Sequence, residues 1–188
     1  MLYRLASLVV LSTCFSGVTS FTDSEGVTLD VPFVKQAKDG CGAASVAMVM
    51  QYWFKQQNRS DQEKVDPDEI YRAMSTQGGR GAFASAMKRY FEQRGFKAFS
   101  FQGEWTDLQD HLRKGRPLIV ALRSFKGETS LHFVVVAGLD SGAGIVSLND
   151  PARRKLIKQS RSDFEKQWSG ANQWALLALP QTAVANGI

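Results

Sequence analysis

From Gly42 onward apolar residues crowd every side of a helical projection: Ala44, Val46, Ala47, Met48, Val49, Met50, Trp53 and Phe54. Such a pattern predicts a helix buried all round rather than one lying on a surface. "VDPDEIYRAM" opens a second helix, with Asp66 as N-cap, Pro67 at the first helical position and Glu69 three residues after the cap. "GAFASAMKRYFEQRG" spaces Phe83, Met87, Tyr90 and Phe91 helically and stops at Gly95. Thr106 and Gln109 open a short helix that ends before Gly115. The texture then changes: "PLIVALRS", "HFVVVAGLD" and "GIVSLND" are short, rich in β-branched residues and bounded by Gly, Pro, Asn or Asp, which predicts strands of an antiparallel sheet. "SRSDFEKQW" reads as a further short helix and "QWALLALP" as a closing strand. Helices first and strands afterwards imply an α+β fold, its N-terminal helical part packed on one side of a C-terminal antiparallel sheet.

A chain of 188 residues, 44% apolar and 22% charged, fits one globular domain. Its first twenty residues differ from the rest. Met1 to Ser20 contains Arg4, the apolar run "LASLVVLSTCFSGV" and no acid, a signal-peptide layout with Val18 and Ser20 placed for cleavage before Phe21. The expected organisation is therefore a signal peptide over 1–20 and a single domain over 21–188, with its core at about 31–180. A membrane anchor would want a longer run and a basic flank after it. "LSTC" also permits lipidation of Cys14, although Thr13 fits poorly before such a cysteine. The expected location is periplasmic or secreted, with membrane attachment only if Cys14 is lipidated. Removing the leader takes away Arg4 alone and lowers the formal charge from +5 to +4. The remaining cations are scattered among acids, which does not point to nucleic acid.

Loss of the leader also removes Cys14 and leaves Cys41 as the one cysteine of the mature chain, so no internal disulfide can form. Cys41 follows "DG" and precedes small residues at the start of the first helix. The positive end of the helix dipole would face its sulfur and favour thiolate. A thiol nucleophile also needs a base. His111, in the polar stretch "LQDHLRKG", reads as a surface or half-buried side chain; His132 opens an apolar strand and is the better partner. An orienting group for the imidazole is available in "SLNDP". The antiparallel hairpin through "DSGAG" brings the end of the later strand beside the start of the earlier one, and alternation lets only one of Asn149 and Asp150 face His132. Gln36, five residues before Cys41, can offer an amide beside the Cys41 backbone N–H to a developing oxyanion.

Gln36, a short loop, Cys41-Gly42 before an alanine-rich helix, then "HFVVV" and "NDP", together resemble papain-like cysteine peptidases. More narrowly the pattern resembles cysteine peptidase family 39, the bacteriocin-processing peptidases that cut after double-glycine leaders. The likeness runs from about Val31 to Pro151 and includes "GGRGAFASAMKRYFEQRGFKAFSF", similar to the family's middle helix and the strand after it. It implies a papain-like fold, Cys41 as nucleophile, His132 as general base and acid, Asp150 as the orienting acid, Gln36 as oxyanion donor, and no metal or cofactor. Two departures stand out. Gly40 separates Asp39 from Cys41, where the family places Asp directly before Cys. Typical members are also the N-terminal domain of an ATP-driven exporter, whereas this chain is expected to open on a leader and shows neither a transporter segment nor a nucleotide-binding loop. The expectation is a stand-alone exported peptidase whose client belongs to an export or surface-assembly system, cut after small or double-Gly residues. Gly78 and Gly79 fit a turn as readily as self-processing. Transfer of the acyl group to an amine, and a catalytically silent module that binds a peptide or an export partner, are the rival readings.

Overall fold

The computed structural model describes residues 26–59, 65–75, 83–123 and 131–181. The expected leader, Cys14 and the Gly78-Gly79 pair lie outside these residues. Helix α1 spans Cys41–Gln56, α2 Pro67–Ser75 and α3 Phe83–Gln93; strand β2, Phe96–Gln102, follows them, then α4, Trp105–Arg113. The rest is mostly strand: β3 Leu118–Leu122, β4 His132–Asp140, β5 Ile145–Asn149, β6 Ile157–Ser160, helix α5 Arg161–Ser169, and β7 Trp174–Pro180. A two-residue β1, Val27–Thr28, pairs with β4. All pairings are antiparallel and join the strands into one sheet in the order β2-β7-β3-β4-β5-β6.

Alternation along the central strands divides the core in two. Phe133, Val135 and Ala137 face the cluster built with α1, α2 and α3, while Val134 and Val136 face Leu108 and Leu112 of α4 and Phe164 and Trp168 of α5. The N-terminal helices cover one face, as the order of elements implies, and the two later helices cover the other. That explains why β3 is buried at every position rather than at alternate ones. Each fully buried side chain of this kind contributes roughly 1.5–3 kcal/mol, so the two layers fix the sheet from both sides.

Helix α1 is the element that matters most for the site. Gly42 to Met50 are all buried, as are Tyr52, Trp53 and Phe54, so the helix runs through the core. Two side chains lock it against sliding: Ser45 Oγ donates to the Phe133 carbonyl at 3.2 Å, and Trp53 Nε1 to the Ala178 carbonyl at 2.9 Å. Asp66 caps α2 by accepting from Asp68 N at 2.9 Å, and Gly95, at φ 81°, ends α3. The fourth helix differs from expectation at its start. Glu104, not Thr106, is the N-cap, because it forms a reciprocal capping box with Asp107 in which Glu104 N donates to Asp107 Oδ2 at 2.7 Å. Among the described residues no helix is long and apolar enough to cross a membrane.

Candidate active site

Cys41 is the first residue of α1 and is half-buried. Its N-cap is Gly40, which has no side chain to accept from the helix, and the first turn holds no acid. The orphan N–H groups and positive dipole end at this terminus therefore meet no capping side chain and no acid of the helix's own first turn, which favours a thiolate at Cys41. A tight turn leads in from Gln36: Gly40 N donates to the Ala37 carbonyl at 3.1 Å, and Asp39 takes up φ 58°. A Cβ on Gly40 would sit 3.3 Å from that carbonyl oxygen. The glycine that separates Asp39 from Cys41 is thus a working part of the turn.

His132 is the first residue of β4, and its Nε2 lies 2.8 Å from Asp150 Oδ1. The thiol of Cys41 hydrogen-bonds to the same imidazole. With Nε2 held by the carboxylate, Nδ1 is the nitrogen left for the sulfur. The β4–β5 register accounts for the choice of carboxylate. Val135 pairs with Asn149, so Asn149 shares its face, while Asp150 turns to the other face, on which His132 lies three residues before Val135. Asp150 Oδ1 also accepts from Ala152 N at 3.0 Å, which fixes the carboxylate.

Asn149 is fully buried and does something else: Nδ2 donates to the Val31 carbonyl at 3.1 Å and Oδ1 accepts from Leu156 N at 2.9 Å. The segment that carries Gln36 is held to the loop beyond Asp150, with Gln36 N donating to the Pro151 carbonyl at 3.0 Å. The Gln36 side-chain oxygen is buried and has no hydrogen-bond partner among the described residues. His111 is not brought to this group. It sits on α4 with its ring 6.0 Å from that of Phe101, and burial holds its pKa below the ordinary value.

Burial opposes ionisation of all three central groups, and hydrogen bonding overrides it in each. Desolvation raises the Cys41 pKa, but bonds from His132 and from the backbone of Phe133 and Gly42, with the imidazolium charge, bring it below the usual thiol value. Desolvation lowers that of His132, yet its bonds to Asp150 and Cys41 lift it to about 9. Burial likewise pushes Asp150 up, and His132 brings it down below the usual carboxylate value. The combined effect favours a thiolate–imidazolium pair beside a carboxylate, an arrangement that can add sulfur to a carbonyl carbon and deliver a proton to the departing group.

Sequence reasoning missed the Phe133 backbone donor and the part played by Ser45. The only signal for Ser45 was a hydroxyl one helical turn after Cys41 in an otherwise apolar run. Among the described residues no three His, Cys, Asp or Glu side chains gather as a metal-binding group.

Residues 28–176 match the model of the peptidase C39-like family. Solved structures share the fold. A C39-like peptidase from Bacillus anthracis is 19% identical, with a TM-score of 0.62 over 82% of this chain and 98% of the other. The peptidase domain of Streptococcus ComA, a bi-functional ABC transporter of a quorum-sensing pathway, is 20% identical, with a TM-score of 0.62 over 80% and 98%. The corresponding domain of Streptococcus mutans ComA is also 20% identical, with a TM-score of 0.53 over 79% and 98%. No curated protein matches the chain.

Proposed function

The chain belongs to the peptidase C39-like family, a cysteine-type hydrolase of peptide or protein substrates, and from that premise we propose a specific mechanism and setting for it. Cys41 is the nucleophile, His132 the general base and acid, Asp150 the group that orients the imidazole, and Gln36 a side-chain donor to the oxyanion. The observation that carries this reading is the continuous hydrogen-bonded series from Cys41 through His132 to Asp150.

The thiolate adds to the scissile carbonyl carbon, and the electron pair moves onto oxygen, where the Cys41 backbone N–H and the Gln36 amide receive it. Collapse of that intermediate breaks the C–N bond as the imidazolium gives its proton to the leaving amine, which leaves a thioester on Cys41. His132 then takes a proton from water, the hydroxide adds to the thioester, and a second collapse returns the thiolate and releases the acid.

The leader pattern over 1–20 supports export to the periplasm or beyond, with cleavage before Phe21. The client is then a protein or peptide met outside the cytosol, in keeping with the link between a related domain and a transporter. Small or double-Gly residues before the cut are the first sequences to try.

Labelling the protein from Phe21 onward with limiting iodoacetamide across pH tests the mechanism. Rapid reaction of Cys41 should persist below pH of about 7, well under the ordinary thiol value of 9.0, and should weaken in His132→Ala. Slow labelling that follows the free-thiol pKa and ignores His132 would rule out the paired site. N-terminal sequencing of the exported protein tests the leader: a start other than Phe21 contradicts the cleavage site, and a lipid-modified Cys14 would replace it.

A further inference from the structure

We propose that Asn149 is a positioning residue that holds Gln36 at the oxyanion position. This rests on the mechanism proposed above. Three ties join the segment before α1 to the end of β5 and the segment that follows it: Asn149 Nδ2 to the Val31 carbonyl at 3.1 Å, Gln36 N to the Pro151 carbonyl at 3.0 Å, and Lys155 Nζ to Asp30 Oδ1 at 2.7 Å. The outermost is an ion pair whose side chains are 38% and 69% exposed, and such a pair holds its partners weakly. The innermost is made by a side chain with no exposure at all.

Asn149 grips both segments at once. While its nitrogen holds Val31, its oxygen holds the N–H of Leu156, a residue at φ 51°, a left-handed conformation that leucine keeps only where its surroundings impose it. One amide therefore sets the spacing between the strand of chain that leads to Gln36 and the loop that leaves Asp150. Gln36 depends on that spacing, because its side-chain oxygen has no partner among the described residues and its known anchor is its own backbone N–H. The thiolate–imidazolium pair has anchors of its own, with the Asp150 carboxylate fixed by Ala152 N. Cys41 is placed by the start of α1, and His132 by β4 and Asp150.

That separation dictates the experiment. A peptide aldehyde adds the Cys41 thiol across its carbonyl as a hemithioacetal, so its affinity reads the oxyanion donors as well as the sulfur. Iodoacetamide loses iodide from a tetrahedral carbon and forms no oxyanion, so its rate reads the thiolate alone. Both probes are applied to wild type, Asn149→Ser, Asn149→Leu, Gln36→Ala and the double variants. Aldehyde affinity should fall about 10- to 100-fold in the Asn149 variants, with the alkylation rate and its pH profile unchanged, and should fall no further when either is added to Gln36→Ala.

Alkylation that falls in step with aldehyde affinity, a separate loss in the Gln36→Ala background, or unchanged aldehyde affinity would each overturn the positioning role. So would failure of both variants to fold, which would make Asn149 a residue of the fold at large. A wild type that neither alkylates at depressed pH nor binds the aldehyde would instead bring down the mechanism itself, and this inference with it.

Discussion

Three ionisable groups meet at one corner of the sheet although burial alone would leave each neutral, and Asp150 is the member on which the other two depend. Its carboxylate accepts from His132 Nε2 and so keeps Nδ1 directed at sulfur. In Asp150→Asn the new amide can present its N–H to Nε2, which places the imidazole proton on the wrong nitrogen and removes the anion that stabilises imidazolium. A fall in kcat of about 10²- to 10⁴-fold is expected. The alkaline limit of activity, set near 9 by the raised pKa of His132, should move down toward the ordinary value of 6.5. A pH–rate profile of the variant checks both; an unmoved alkaline limit would show that Asp150 does not govern His132. At this scale the sequence was readable where chemistry demands a residue type at a strand end. Only the β4–β5 register separates Asp150 from its neighbour, and nothing local to "SLNDP" announces that Asn149 reaches back to Val31, far earlier in the chain.

Helix α1 delivers Cys41, so the ties that fix its axial position also fix the sulfur. Ser45 stands one turn beyond Cys41 and bonds the carbonyl of Phe133, the residue after His132 and itself a backbone partner of the thiol. Replacing Ser45 by Ala removes a fully buried hydrogen bond and should lower stability by about 1 kcal/mol. For a chain of this size that is about 2–4 °C in Tm. A slower alkylation of Cys41 should accompany it, because the helix start loses a buried tie to β4 one turn beyond the sulfur. Calorimetry and labelling of the one variant test this, and a Tm equal to wild type would show that Ser45 carries no load.

Elements with a strong period were legible: the all-round apolar run of α1, the Asp66-Pro67 start of α2, and the β-branched β3 to β5. The two-residue β1 and the polar "IKQS" of β6 are too short for any period to emerge, and they exist because neighbouring strands offer them partners. At α4 a carboxylate cap overruled the expected Thr106, since the Glu104–Asp107 reciprocity satisfies two backbone donors where a hydroxyl inside the helix satisfies neither.

On the scale of the whole molecule, the site joins the helix layer to the sheet by passing a proton between them, and that leaves a mark on stability. An unfolded chain above pH 6.5 and below 9.0 carries a thiol on Cys41 and a neutral imidazole on His132. In the folded pair the lowered Cys41 and the raised His132 favour that single proton on nitrogen rather than on sulfur. Taken alone, His132, raised to about 9, contributes stability that is complete below 6.5 and is lost as pH rises through 9. Cys41, lowered, contributes stability that is complete above 9.0 and is lost as pH falls through its folded value. Where the two windows overlap the slopes have opposite sign and offset one another, so wild-type stability should change less with pH there than His132 alone would make it.

Cys41→Ala removes that offset. His132 keeps its bond to Asp150 and hence a raised pKa, no thiol compensates it, and stability should fall with rising pH by at most about 1.4 kcal/mol per pH unit. His111, whose pKa burial holds below the ordinary value, does not blur the comparison, since it is present in both proteins and its contribution cancels between them. Urea midpoints of both proteins across pH 6.5 to 9 provide the measurement. A steeper fall of the variant than of wild type would show that one proton is shared between helix and sheet; superimposed profiles would mean that Cys41 and His132 ionise independently, and that the depressed thiol pKa required for attack at neutral pH is not produced by this pairing.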